Sequence, residues 1–336
     1  MGNSFREIMD LIGGRDVKSI LILCHQNADP DAICSSYSLL SLLKHFKPDI
    51  YGEVASPESV SKISKGILER LMMKVTNDKP DFSRANVIFM LDTNTVQQLG
   101  EWGEDLYESS LPIIVVDHHA PHPETEKIAS ICICRENYSS TCEIIYELFK
   151  EAGVKPTKDV AEALFLGMAF DTKHFTLASS STFKAIADLI DFGVNAQEML
   201  QLLTVPMDIS ERIARLKACK RMKLMRIYGW IIVFSHVSSF QASAARALVD
   251  VGASLAIVGS QDKDKISISL RCSNEFYSKT GIHLGRDIAR ILGEQLHGMG
   301  GGHSTSAGVN GTGKLEDAFK YAAKILKEKL KQYPYQ

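Results

Sequence analysis

Among its seven cysteines (24, 34, 132, 134, 142, 219 and 272) the chain has no CxxC pair, which removes the thiolate framework typical of structural zinc. An odd cysteine count behind the polar start MGNSFREIMD, with no secretory signal, argues against a disulfide scaffold and sets the expectation of a reducing cytoplasm. The opening Met-Gly-Asn-Ser loosely resembles a myristoylation signal, but Arg6 stands where that signal needs Ser or Thr. No apolar run approaches the ~18 residues that span a bilayer, so no membrane partner is expected. A charge excess is missing too: the formal net charge is -2, which excludes a long nucleic-acid track built on many Lys and Arg contacts. Internal repeats and low-complexity segments are absent. What remains is an ordinary globular composition, 45% hydrophobic and 23% charged, in 336 residues, enough for two domains.

The first two-thirds alternate short apolar runs with helical patterns. SILILCH (19–25), NVIFMLD (86–92) and LPIIVVDHH (111–119) read as buried strands that end in acid or His. ASICICREN alternates as a strand does, so Cys132 and Cys134 are read as strand residues and not as ligands. Residues 31–46, 139–153 and 158–172 read as helices, with Pro30 suited to the first turn of the one it opens. Strand–helix alternation implies an α/β fold: a doubly wound parallel sheet with helices on both faces. A charged, periodic stretch without Gly or Pro follows at 207–227, and then a second pattern of strands and helices that is smaller and also α/β. The expected division is a first domain over 1–200, a helical linker over 201–226 and a second domain over 227–336, with a cleft between the domains.

Within the first domain, four stretches share one arrangement: an apolar segment, then ligand-type side chains at its end. The stretch LILCHQNADPDAIC supplies His25, Asp29 and Asp31; Asp92, then Asp117, His118 and His119, and finally Asp171 supply the rest. In an open parallel sheet, strand C-termini collect along one edge, where ligands bind. Carboxylates this dense repel one another and lose hydration unless a cation lies between them. Mixed carboxylate and imidazole donors suit borderline divalent ions such as Mn²⁺. Two ions ~3.5–4 Å apart, sharing one carboxylate and a water able to attack phosphorus in line, would account for this many acids. A lone Asp-His-His is as readily a structural turn; the four stretches together, in order, are what speak for metal.

The segments HQNADPDA, MLD, DHHAPH and FDT resemble the four motifs of the DHH phosphoesterase superfamily, and ISISLRCS with GMGGGHSTSAG resembles its DHHA1 substrate domain. The resemblance runs from about residue 18 to 330 and is nearest the nanoRNase/pAp phosphatase and cyclic-dinucleotide phosphodiesterase branch. It implies His25, Asp29 and Asp92 on one metal, and Asp31, Asp92, His118 and Asp171 on the other, with Asp92 as the bridge. His119 would face the scissile phosphate as hydrogen-bond donor or acid, Asp117 would orient an imidazole, and Asn27 would touch the phosphate or the attacking water. Arg271 and the backbone of Gly300, Gly301 and Gly302 with His303 would hold a terminal phosphate; alone, that glycine run reads equally well as a flexible loop. The implied cofactor is a pair of Mn²⁺ ions, with Mg²⁺ or Co²⁺ as substitutes. The implied partner is a small nucleotide or short oligonucleotide, and a homodimer is the assembly left open.

Two departures from the family pattern stand out. Lys173 occupies a position where many relatives have Gly, and Cys34 one where a small Gly is common. His45 closes a helix, where cationic character suits the C-terminal dipole, His122 follows the DHH motif, and His236, His283 and His297 lack a partner pattern in the sequence. The resulting expectation is a metal-dependent phosphodiesterase or phosphatase acting on short oligoribonucleotides, pApA or cyclic di-AMP, or pAp. A single-strand exonuclease, a pyro- or polyphosphatase and a non-catalytic scaffold are the alternatives, the last disfavoured by the intact acid set.

Overall fold

The computed structural model describes residues 3–14, 17–204 and 207–335, and the chain divides into two compact units, Met1–Val205 and Pro206–Gln336. The first unit runs α1 (Ser4–Gly13), β1 (Ser19–Leu23), α2 (Pro30–Phe46), β2 (Tyr51–Ala55), α3 (Lys62–Leu71), β3 (Val87–Leu91) and α4 (Trp102–Glu108). It continues through β4 (Ile113–Asp117), α5 (Pro123–Ile128), β5 (Ile131–Cys134), α6 (Thr141–Glu151), α7 (Lys158–Asp171), α8 (Ser180–Asp191) and α9 (Ala196–Leu202). The five strands form one sheet in the order β2-β1-β3-β4-β5, and every pairing is parallel.

The near-continuous apolar strands follow from burial on both faces. Successive side chains of β1 enter different cores: Ile20 and Ile22 join a cluster with residues of α2, α6 and α7, whereas Leu21 and Leu23 join one with Trp102 and Leu106 of α4. That is the doubly wound arrangement. Since all strands run the same way, His25, Asp92, Asp117 and the residues just after them gather at one edge. Helix α2 begins there, with Asp29 as its N-cap and Pro30 in its first turn.

The second unit runs α10 (Ile209–Arg221), β6 (Lys223–Ile227), β7 (Trp230–His236), α11 (Gln241–Asp250), β8 (Leu255–Asp262), β9 (Lys265–Cys272) and α12 (Asn274–Thr280). A π-helical stretch, Leu284–Ala289, leads into α13 (Arg290–Gln295), followed by β10 (Met299–Gly302), β11 (Ser306–Thr312) and α14 (Leu315–Leu330). Its six-stranded sheet has the order β10-β11-β9-β8-β7-β6, antiparallel except for β7 with β8.

Two expectations are corrected here. The helical linker over 201–226 is not one element. Helix α9 ends at Leu202, α10 packs with Val233 of β7 and Ala244 of α11, and 223–227 is a strand paired antiparallel to β7. The two-residue connection Tyr228–Gly229, with φ of 49° and 88°, makes the left-handed turn that a tight hairpin needs. The glycine run at 300–302 is likewise not a loop but strand β10, paired with β11. A Cβ on Gly300 would lie 1.8 Å from the Ala289 carbonyl oxygen, so that glycine lets the strand press against the π-helical stretch.

Candidate metal centre

Three of the carboxylates gathered at the strand ends of the first unit, Asp29, Asp31 and Asp92, are held by hydrogen bonds from the surrounding chain. As N-cap of α2, Asp29 accepts hydrogen bonds through Oδ1 from the amides of Asp31 (2.9 Å) and Ala32 (3.2 Å). Asp31 is fully buried, and its two oxygens accept from the first amides of α6: Oδ2 from Thr141 at 2.6 Å, Oδ1 from Cys142 at 2.9 Å. The positive end of α6 thereby faces a carboxylate that has lost its water. Asp92 follows β3 in the left-handed region, φ 54°, a conformation Asp tolerates better than most residues, and its Oδ1 accepts from the Thr141 hydroxyl at 3.0 Å.

The imidazoles complete the group. Nδ1 of His25 lies 2.8 Å from the Gln26 carbonyl; donating that hydrogen bond leaves Nε2 to face Asp29 at 3.9 Å and Asp92 at 3.8 Å. Nε2 of His118 lies 3.6 Å from Asp92 and 3.1 Å from Asp171, yet it is buried without a hydrogen-bond partner among the described residues. Donor atoms of His25, Asp29 and Asp92 all lie within 4.8 Å of one another, and so do those of Asp31, Asp92, His118 and Asp171. The two groups share Asp92. A third grouping (Asp92, Asp117, His118 and His119) also meets that distance. There, however, Asp117 Oδ1 already accepts from His119 Nδ1 and from the His119 amide, both at 2.8 Å. Asp117 is fully buried and orients His119, whose side chain is 57% exposed and faces outward.

The electrostatics show how much a cation is needed. Burial, with Asp29, Asp117 and Asp171 nearby, pushes the Asp92 carboxyl up to about 7. Burial pushes Asp31 well above the usual carboxylate range, helped by Asp171, Asp92 and Asp29. Burial works against a charge on His25, but Asp29 and the Gln26 carbonyl outweigh it and carry the imidazole up to about 9. Burial also opposes the Asp29 charge; His25 and the capping amides overcome it and hold Asp29 low. A proton on the imidazole thus stands in for a cation. Mixed oxygen and nitrogen donors, an orphaned buried Nε2 and acids that resist ionisation together fit divalent metal. For His119 the hydrogen bond to Asp117 dominates and raises the imidazole to about 9, so it carries a proton to give at neutral pH.

The remaining candidates are Asn27 in the first unit and Arg271, His303 and the glycines in the second. Asn27 is exposed, with φ 55°, between His25 and Asp29 in the chain. In the second unit, Arg271 on β9 sits opposite Ser306 of β11, and the Cys272 amide bonds the Thr305 carbonyl, so the 303–306 turn lies at the same end of the sheet. Arg271 Nε is buried without a hydrogen-bond partner among the described residues, and burial together with Arg246 lowers the guanidinium's pKa. His303 is exposed at that turn. Of the glycines, Gly300 and Gly302 are tied up in packing, while a Cβ on Gly301 would meet nothing within 4 Å.

Sequence reasoning missed three contributors. Thr141 and Cys142 act mainly through backbone amides, for which the only signal was the cap-forming Ser140-Thr141 at the start of α6. The third is Arg246, near enough to Arg271 to lower its pKa.

The DHH family N-terminal domain matches residues 19–168 and the DHHA1 domain residues 237–332. The chain belongs to the DHH superfamily, whose members are phosphoesterase hydrolases. An uncharacterized protein of Methanocaldococcus jannaschii is 38% identical over 96% of this chain and 95% of its own length. The cyclic-di-AMP phosphodiesterase PdeA of Listeria monocytogenes is 24% identical over 86% of this chain, which spans 44% of that protein. A probable manganese-dependent inorganic pyrophosphatase of Lactococcus lactis is 29% identical over 58% of this chain and 63% of its own length. Among solved structures, an exopolyphosphatase-related protein from Bacteroides fragilis shares the fold with a TM-score of 0.63 and 21% identity, covering 98% of this chain and 96% of that one. No helix among the described residues is long and apolar enough to cross a membrane.

Proposed function

We propose that this chain hydrolyses phosphate esters of small nucleotides with the help of two Mn²⁺ ions. The observation that carries the reading is the pair of donor groups sharing Asp92, one with His25 and Asp29, the other with Asp31, His118 and Asp171. When bound, such ions supply Lewis acidity at the phosphate and a nucleophile at neutral pH. The protein's own groups do the rest. His119, charged and oriented by Asp117, holds a proton for a phosphate oxygen or the leaving group. Thr141 and the α6 amides fix Asp92 and Asp31, so neither carboxylate has to find its position during the reaction.

A nucleotide is preferred over bare phosphate because the cations that the described residues bring together at this end of the second unit are Arg271 and its neighbour Arg246. One guanidinium suits a single terminal phosphate. The likeness to a cyclic-di-AMP phosphodiesterase supports the same substrate class.

The test is hydrolysis with Mn²⁺ of pApA, cyclic di-AMP, pAp, longer single-stranded RNA and pyrophosphate, compared by kcat/KM. The expected order puts a two-nucleotide or smaller substrate first. Fastest turnover of pyrophosphate would overturn the nucleotide reading, and efficiency that climbs with RNA length would favour an exonuclease. Mn²⁺ should outperform Mg²⁺, which prefers oxygen donors and retained water to imidazole.

A further inference from the structure

Strand β5 carries two cysteines that the hydrolytic site does not use. Cys132 and Cys134 are two residues apart, so their side chains leave the same face of the sheet. Their sulfurs lie 3.3 Å apart, with Cys132 exposed and Cys134 half-buried. By contrast Cys24, Cys34, Cys142 and Cys272 are buried. Strand β5 is also an edge strand, paired among the described residues with β4 alone, so its backbone can pucker without breaking a second ladder.

We propose that Cys132 and Cys134 form a dithiol modification site that closes reversibly to an intramolecular disulfide by exchange with a low-molecular-weight disulfide. The sulfurs need to approach from 3.3 Å to a bond of about 2.05 Å. Two residues of strand separate the Cα atoms by about 6.6 Å, at the upper end of the roughly 4.4–6.8 Å that disulfides accept. The bond is therefore sterically reachable. The hydrogen bond from the Cys134 thiol lowers the Cys132 pKa to about 7 and raises that of Cys134, so the exposed sulfur is the better nucleophile and attacks first.

The exchange has two steps. The Cys132 thiolate attacks one sulfur of the small disulfide, forming a mixed disulfide and expelling one small thiolate. Cys134 then gives up its proton and attacks the Cys132 sulfur, closing the Cys132–Cys134 bond and expelling the second thiolate. Two protein thiols are oxidised, one small disulfide is reduced to two thiols, and the two protein protons end on those thiols.

The experiment treats the full-length folded protein with oxidised glutathione, blocks free thiols with iodoacetamide and digests with trypsin. The peptide IASICICR, residues 128–135, contains these two cysteines and no other. The expected wild-type product is that peptide lighter by two hydrogens, unalkylated and restored to the dithiol by dithiothreitol. In Cys134→Ser the first step should stall as a lasting glutathione adduct on Cys132. Two alkylated thiols in the wild type, or a glutathione adduct that persists there, would overturn the proposal.

Discussion

The two units meet their charged residues in opposite ways. At the strand ends of the first, acids are buried and held by amides, caps and neighbouring imidazoles; Asp31 and Asp117 are fully enclosed. At the Arg271 end of the second, His303 and Arg246 are exposed, and one buried guanidinium nitrogen has no partner among the described residues. The first arrangement fixes its carboxylates before anything binds, although His118 Nε2 and Asp117 Oδ2 have no hydrogen-bond partner among the described residues, and the second leaves the contacts of Arg271 to be made. Damage to the first should therefore abolish chemistry, whereas damage to the second should alter which substrate is preferred.

The sharpest way to break that contrast is Asp92→Ala. A carboxylate common to both donor groups should, when removed, eliminate turnover and the tight binding of both ions. Elemental analysis of the purified variant checks this, and full occupancy would end the shared-ligand assignment. Next in size is His119→Ala, expected to keep its metal while the rate falls by roughly 10²–10⁴, the usual worth of a positioned acid–base group. Metal loss in that variant would place His119 among the ligands instead.

Arg271→Ala tests the other side. Hydrogen bonds to charged groups are worth about 1.5–3 kcal/mol, so KM for a short nucleotide should rise roughly 10- to 100-fold. The kcat should change little. An equal loss on a phosphodiester with no terminal phosphate would show that Arg271 does not grip that end. The smallest effect separates packing from binding within the glycine run. Gly300→Ala, forced against the Ala289 carbonyl, should cost about 1–3 kcal/mol and lower the melting temperature. Gly301→Ala, with open space around its Cβ, should leave stability nearly unchanged. Similar melting temperatures for the two variants would remove the packing explanation.

What could be read from the sequence was whatever is written locally. An apolar run followed at once by acid or imidazole, as at Leu91–Asp92 or Val116–His119, announces both a buried parallel strand and the edge where its end must lie. Contacts made by the backbone carry no such mark, so the amides of Thr141 and Cys142 on Asp31 were invisible before the fold brought α6 across 110 residues of sequence. The 223–227 strand was obscured because Lys223, Leu224, Met225 and Arg226 are all good helix formers directly continuing α10, and pairing with β7 overrides that preference. Glycines 300–302 suggested freedom, when two of them mark crowding.

After Asp171, Lys173, His174 and Phe175 have φ of 50°, 55° and 68°, three consecutive non-glycine residues in the left-handed region. That geometry restricts the alphabet the segment can use. Gly, Asn and Asp enter such backbone at least cost, whereas Val, Ile and Thr clash with it at Cβ. Tolerance to substitution in this segment is thus limited by backbone shape before any chemistry is considered, and the Lys at 173 sits where a Gly would relieve strain. A saturation library across 173–175, scored for folded protein, should be enriched in Gly and Asn and depleted of β-branched residues even on a background whose hydrolytic activity has been removed.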